Sequence, residues 1–161
     1  MLKNISILYE EYLSVSELSE EDQDLMKHAK DSAELAYAPY SNFHVGAALL
    51  LDDGTVITGN NQENAAFPSG LCAERVALFS ALSVFPDKKI KMIAITAFSD
   101  EIAVNTPVTP CGSCRQVIAE TEKRQSEKIR VLMAGKTGKV IVTEGIDCLL
   151  PFAFNPEKLK G

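Results

Sequence analysis

Cys72 and Glu74 stand two residues apart in "FPSGLCAERVAL" (67–78), and Cys111 and Cys114 form a C-x-x-C pair in "TPCGSCRQVI" (109–118). Cys72 opens a predicted helix, and Pro110 places the C-x-x-C pair at the start of another. Helix N-termini present unpaired N–H groups and partial positive charge, which lowers a nearby thiol's pKa and favours thiolate. Three thiolates from two such starts can converge on one zinc ion. Three protein ligands leave the fourth tetrahedral position to water, the mark of a catalytic zinc rather than a structural one. Glu74, in the first turn, then reaches that water without ligating the metal and carries protons. Three thiolates on a divalent cation leave net negative charge, which the helix dipoles and the neighbouring Arg75 offset.

A C-x-x-C pair also occurs in redox motifs and zinc ribbons. Cys148 as a fourth ligand would close the site into a structural one. Ribbons bring two C-x-x-C pairs, however, and Cys72 and Cys148 have no such partners. A redox role leaves Cys72 and Glu74 unexplained. Cys148 itself reads as a small buried apolar residue in a leucine-rich turn.

The surrounding pattern supplies elements to hold these groups. "ISILYEEYL" (5–13) alternates loosely, as a short edge strand does. "SEEDQDLMKHAKDSAELAY" predicts a helix N-capped by Ser19, with acidic residues in its first turn and Pro39 ending it. "HVGAALLLDDGTVITGN" is a hairpin around "DDGT". "IKMIAITAF" (90–98) is a nearly continuous apolar run, expected as a buried central strand. A helix follows Pro110, "KIRVLMA" and "KVIVTE" make a last strand pair, and a short helix is expected over "IDCLLPF". The order predicts an α/β fold, a three-layer α/β/α sandwich around a mixed, about five-stranded sheet.

The chain has 161 residues, 46% hydrophobic and 24% charged, which reads as one domain over 1–161, with 1–18 as an N-terminal extension. The net charge of −6, without a Lys/Arg run, argues against a nucleic-acid partner and for a small neutral ligand. No signal-peptide pattern opens the chain, and the longest apolar run, near 45–51, is too short to span a bilayer, so a cytoplasmic protein with thiols rather than disulfides is expected.

"C-A-E-R" followed by "P-C-G-x-C-R-Q" resembles the tricysteine form of the zinc deaminase signature. With "AYAPYSNFHVGAALL", "GNNQENAAFPSGLCAER" and "LLPFAF", the pattern over roughly residues 25–157 is similar to the small, homotetrameric cytidine deaminases of pyrimidine salvage. The resemblance implies that Cys72, Cys111 and Cys114 hold one Zn²⁺ per subunit. It implies that Glu74 moves protons between water, the ring N3 and the leaving amine. By the same carry-over, Asn61 and Glu63 bind ribose hydroxyls and Phe43 packs beside the pyrimidine. Backbone groups at Ala73 and Thr109 bond the base edge, and Phe154 reaches a neighbouring subunit's site. The expected substrate is a neutral nucleoside, because Glu63 repels phosphate.

Without that resemblance, Asn61 and Glu63 read as turn residues and Phe43 and Phe154 as core. Two positions depart from the family: Phe67 replaces a common tyrosine, and Gln62 replaces a branched apolar residue. His28 and His44 read as solvated or structural. Deamination of another aminated nucleoside, such as a nucleoside antibiotic, and a non-catalytic zinc module are the competing readings.

Overall fold

Both faces of the sheet are apolar because both are covered, and that is why its strands read as unbroken apolar runs. A computed structural model describes residues 1–154. Its elements are β1 (Glu10–Tyr12), α1 (Glu20–Ala33), β2 (Phe43–Leu51), β3 (Val56–Asn60), α2 (Ala73–Val84), β4 (Ile90–Ser99), α3 (Gly112–Gln125), β5 (Arg130–Ala134) and β6 (Val140–Glu144), with short 3₁₀ turns at 15–17, 67–69 and 146–148. The six strands are ordered β1-β6-β5-β4-β2-β3. Only the β4–β5 pair is parallel, with α3 in the connection between them, so the sheet is mixed.

Strand alternation sorts the side chains into two cores. Ala47 and Leu49 of β2, Ile93 and Ile95 of β4, and Val131 and Met133 of β5 pack with Ala77, Leu78 and Ala81 of α2 and Ile118 of α3. Ala48, Leu50, Met92, Ala94 and Leu132 point the other way, onto Leu25, Met26 and Ala29 of α1. One helix on one face and two on the other make the expected three-layer sandwich.

The sheet has six strands rather than about five. The sixth is the N-terminal segment, reduced from the expected 5–13 to the three residues of β1, which pair with Val140–Val142 along the free edge of β6. Arg130 ties this edge to the rest: its guanidinium reaches Asp22 of α1 at 3.1 Å, Glu10 of β1 at 3.6 Å, and Glu144. Such an added strand satisfies backbone groups that a bare edge would expose.

Helix α1 begins as expected, with the Ser19 hydroxyl accepting from the Asp22 amide at 3.2 Å. It ends at Ala33, well short of Pro39, because the backbone at Tyr37 is needed elsewhere. The Tyr37 amide donates to Asn61 and its carbonyl accepts from the Glu63 amide, which pins the loop that carries the candidate ribose contacts. The expected terminal helix over "IDCLLPF" is only the 3₁₀ turn at 146–148, stopped before Pro151.

Two glycines permit close approach of helix to sheet. A Cβ at Gly46 would meet the Ala29 carbonyl at 1.9 Å. A Cβ at Gly59 would meet the Ala77 amide nitrogen at 2.5 Å and the Ala73 carbonyl at 2.6 Å. The first turns of α2 therefore rest directly on β3 backbone, and nothing flexible can give way. Gly59→Ala is expected to lower stability by about 1–3 kcal/mol through this overpacking. Urea unfolding checks it; an unchanged midpoint would mean that α2 is free to shift.

Candidate active site

Helices α2 and α3 lie on the same face of the sheet and start close together. Cys72 is the N-cap of α2 and Cys111 the N-cap of α3, and neither side chain caps its own helix. The thiols are left to face each other. Cys72 Sγ lies 3.8 Å from Cys111 Sγ, which lies 3.5 Å from Cys114 Sγ, and all three sulfurs fall within 4.8 Å of one another. A tetrahedral zinc with Zn–S bonds of about 2.3 Å separates its sulfurs by about 3.8 Å, so the trio fits that ion with little adjustment. Cys148 is not part of the cluster. The closed four-cysteine site is therefore not formed, and Cys148 is half-buried rather than the buried residue expected.

Three thiols this close share protons unequally. Hydrogen bonding from Cys114, followed by the Arg75 guanidinium with Nη2 at 3.5 Å, lowers the Cys72 pKa to about 5. Cys114 is pushed the opposite way by its bond to Cys72 and by burial. Cys72 is thus a ready thiolate, and the hydrogen bond it accepts, together with its charge, in turn raises the pKa of Arg75. Arg75 Nε is buried without a hydrogen-bond partner among the described residues.

Glu74 is only 4% exposed. Burial raises its carboxyl pKa, and the Cys72 charge adds to the effect, while its own amide and Cys114 act against it. A carboxyl whose pKa is raised in this way takes up a proton more readily than an ordinary glutamate, as a group that accepts and then relays protons must.

Cys72, Glu74, Arg75 and Cys111 line a cavity of about 670 Å³ together with Phe43, Asn61, Glu63 and Thr109. Its only cationic side chain among the described residues is Arg75, which is turned to Cys72. Ala73 and Cys114 are fully buried behind this wall. Phe154 lies outside the cavity of its own chain and is 60% exposed.

Both candidate ribose residues also hold structure. The Asn61 carboxamide accepts from the Val45 amide at 2.7 Å and donates to the Phe43 carbonyl at 2.9 Å, so it acts as a local strand partner for β2. Glu63 accepts from the amides of Tyr40 at 2.8 Å and Ser41 at 3.3 Å, and from the Ser41 hydroxyl. The hydroxyl bond is the largest cause of a lowered Glu63 pKa, which keeps the carboxylate ionised. Ser41 was not singled out from the sequence, although it lies inside "PYSNF", next to residues that were. Gln62 is held in a two-way backbone bridge with Leu71, and its side chain donates to Asn60. Phe67 meets Tyr40 edge-on at 5.8 Å on the cavity rim.

Arg115 was also missed. It donates to the Pro110 carbonyl at 2.7 Å, the Leu149 carbonyl at 2.8 Å and the Thr109 hydroxyl at 3.3 Å, fastening the loop that leads into Cys111. Neither histidine is near the thiols' role: His28 lies 3.7 Å from Asp24 on the surface, and His44 stacks on Phe98.

Comparison with known proteins agrees with this geometry. Residues 19–129 match the family described as the cytidine and deoxycytidylate deaminase zinc-binding region. A cytidine deaminase of Halalkalibacterium halodurans is 42% identical over 137 residues, 85% of this chain and 96% of that protein. One from Sporosarcina psychrophila is 40% identical over 85% of this chain and 93% of its own length. The crystal structure of cytidine deaminase from Burkholderia pseudomallei superposes with a TM-score of 0.71 at 40% identity, covering 85% of this chain and all of that one.

Arg75 touches Cys72 and does not ligate, so its removal is expected to leave the metal in place while weakening its action. Arg75→Ala should retain one zinc per chain by elemental analysis and lose about 10–100-fold in kcat. Unchanged kinetics would remove Arg75 from the account of the site.

Proposed function

The chain belongs to the cytidine and deoxycytidylate deaminase zinc-binding family, and from that premise we propose that it is a zinc-dependent cytidine deaminase. It hydrolyses cytidine to uridine and releases ammonia, and it takes 2′-deoxycytidine to 2′-deoxyuridine in the same way. The observation that carries this reading is the convergence of Cys72, Cys111 and Cys114 beside the buried carboxyl of Glu74.

Zinc, when bound by the three thiolates, supplies the Lewis acidity that lets water ionise near neutral pH. Glu74 takes a proton from that water and passes it to N3 of the pyrimidine as C4 is attacked. Glu74 then takes the proton of the new C4 hydroxyl and delivers it to the 4-amino group; C4=O forms as the C4–N bond breaks, and ammonia leaves with its electron pair. Phe43 packs beside the ring, and backbone groups at Ala73 and Thr109 bond the base edge. Asn61 and Glu63 grip the ribose hydroxyls and hold C4 in near-attack geometry.

Nucleosides are preferred to nucleotides. Glu63 brings an ionised carboxylate to the sugar end of the cavity, and the lining offers no free cation among the described residues to offset a phosphate. Exposed aromatic side chains on the rim and tail, Phe67, Phe152 and Phe154, support a homotetramer in which Phe154 reaches a neighbouring subunit's site. A cluster of reduced thiols supports a cytoplasmic setting, in pyrimidine salvage. We read 1–161 as one unit in which residues 1–18 extend the matched region and cover the β6 edge.

Ammonia release from cytidine by the purified, zinc-loaded protein tests the assignment. Brisk release is expected; none, with zinc present, would remove cytidine as substrate. Glu74→Gln should keep the zinc and lose about 10²–10⁴-fold in kcat, the scale of general acid–base catalysis. Normal turnover by that variant would falsify the proton-transfer role. Cytidine monophosphate should be a far poorer substrate than cytidine, and comparable kcat/KM values would argue against Glu63 as the discriminating group.

A further inference from the structure

The segment "LLPFAF" (149–154) leaves the sheet after the 3₁₀ turn at 146–148 and has no regular structure of its own. Phe152 is 86% exposed and Phe154 is 60% exposed. A short chain of this kind, ending in two solvent-facing aromatic rings, is expected to sample many positions and to lose that freedom on placing a ring. It is fastened instead. The Gln116 side-chain amide donates from Nε2 to the Phe154 carbonyl at 2.9 Å, and Gln116 Oε1 accepts from the Phe154 amide at 3.0 Å. Donor and acceptor of one planar carboxamide thus pair with both backbone groups of a single residue, as a neighbouring β-strand would. The other end of the segment is held by Arg115, whose Nη1 donates to the Leu149 carbonyl at 2.8 Å.

We propose that Gln116 is a positioning residue for the deamination reaction, one that fixes the backbone of Phe154 and so aims its ring into the site of a neighbouring copy of this chain. The proposal rests on the reading above in which Phe154 acts in that neighbouring site. Its geometric support is the place of the clamp. Gln116 follows Cys114 by two residues in the first turns of α3, so the aromatic tail is attached to the helix that carries two of the three thiols. The bond pair acts on main-chain atoms of residue 154 itself and leaves the ring uncovered. A half-buried helix residue used only for solubility would not need both ends of its amide engaged on one residue. The length also matters: Asn is one methylene short of the reach, and Glu retains the acceptor for the Phe154 amide while losing the donor to its carbonyl.

The test is a double-mutant cycle on KM for cytidine in the zinc-loaded protein, with Gln116→Ala, Phe154→Ala and the pair together. Gln116→Ala is expected to raise KM about tenfold, with kcat changed less than about twofold, the scale on which two neutral hydrogen bonds hold a group in place. The double variant should match Phe154→Ala alone, because Gln116 acts only through that residue. Zinc content and the thermal midpoint, measured in parallel, should stay those of the parent. Gln116→Glu should fall between parent and Gln116→Ala, which gives a readout if the alanine variant folds poorly. The chain has no tryptophan, so Phe154→Trp adds a single fluorescent reporter whose emission should shift on addition of uridine and shift less when Gln116→Ala is combined with it.

The failures are distinct. If Phe154→Ala leaves KM unchanged, the role of Phe154 in the site is wrong and the proposal goes with it. If Phe154→Ala raises KM while Gln116→Ala does not, Phe154 stands and the clamp is overturned. Additive losses in the double variant, or loss of zinc on Gln116→Ala, would make Gln116 a structural residue of α3 and overturn the proposal equally.

Discussion

Two helix N-termini must meet at one point, and the rest of this molecule is arranged to make them do so. The sulfurs of Cys72, Cys111 and Cys114 come from chain positions about forty residues apart, yet they lie within 4.8 Å of one another. Bringing acidic thiols together is unfavourable unless the local potential is positive. The free N–H groups of two first turns supply part of it, and Arg75 supplies the rest. Proton sharing also relieves the repulsion, since the Cys114 pKa is raised while that of Cys72 is lowered. A divalent cation takes over that role when bound, at the cost of the proton.

Holding the two starts together falls to the sheet. The parallel β4–β5 pair puts α3 across one face, and the β2–β3 hairpin seats α2 beside it, with Gly59 removing the side chain that would keep helix and strand apart. Burial then serves chemistry as well as packing. At the start of α2, Ala73 is fully buried and Glu74 nearly so, which strips most water from the Glu74 carboxyl even where it faces the cavity. Desolvation raises the pKa of this carboxyl, the direction that the proposed proton-transfer role calls for.

The thiols and Glu74 were legible in the sequence because their meaning depends on short spacings at helix starts, which local pattern fixes. The layered fold was legible for a similar reason. Runs such as "IKMIAITAF" are too apolar for anything but a strand covered twice. The residues that escaped notice act over long sequence separation. Ser41 and Tyr40 reach Glu63 across more than twenty residues, and Gln116 reaches Phe154 across thirty-eight. A carboxamide that pairs with a distant main chain has the same sequence signature as one that meets only water. The shortened α1 has the same origin: Tyr37 is a passable helix residue, and only its pairing with Asn61 and Glu63 removes it. The extent of β1 was likewise hidden, since its length is set by the free edge of β6 and not by its own alternation.

Double employment of polar groups also bears on which sugars the site accepts. An ionised carboxylate has about four lone-pair sites. On Glu63, Oε2 already accepts from the amides of Tyr40 and Ser41, and Oε1 accepts from the Ser41 hydroxyl. One site remains, so Glu63 can take one hydroxyl and has no second vacancy that a further hydroxyl must fill. Asn61 is in a comparable state, with one Nδ2 hydrogen and one Oδ1 lone pair left after its bonds to Phe43 and Val45. A buried polar group left unpaired is what makes a site reject an analogue that lacks a hydroxyl. In the proposed reading these two residues meet the sugar already mostly satisfied by their own chain, so removal of the 2′-hydroxyl strands little. On that reading, the same bonds that stiffen the loop favour tolerance of both ribose and deoxyribose, with discrimination directed at charge instead.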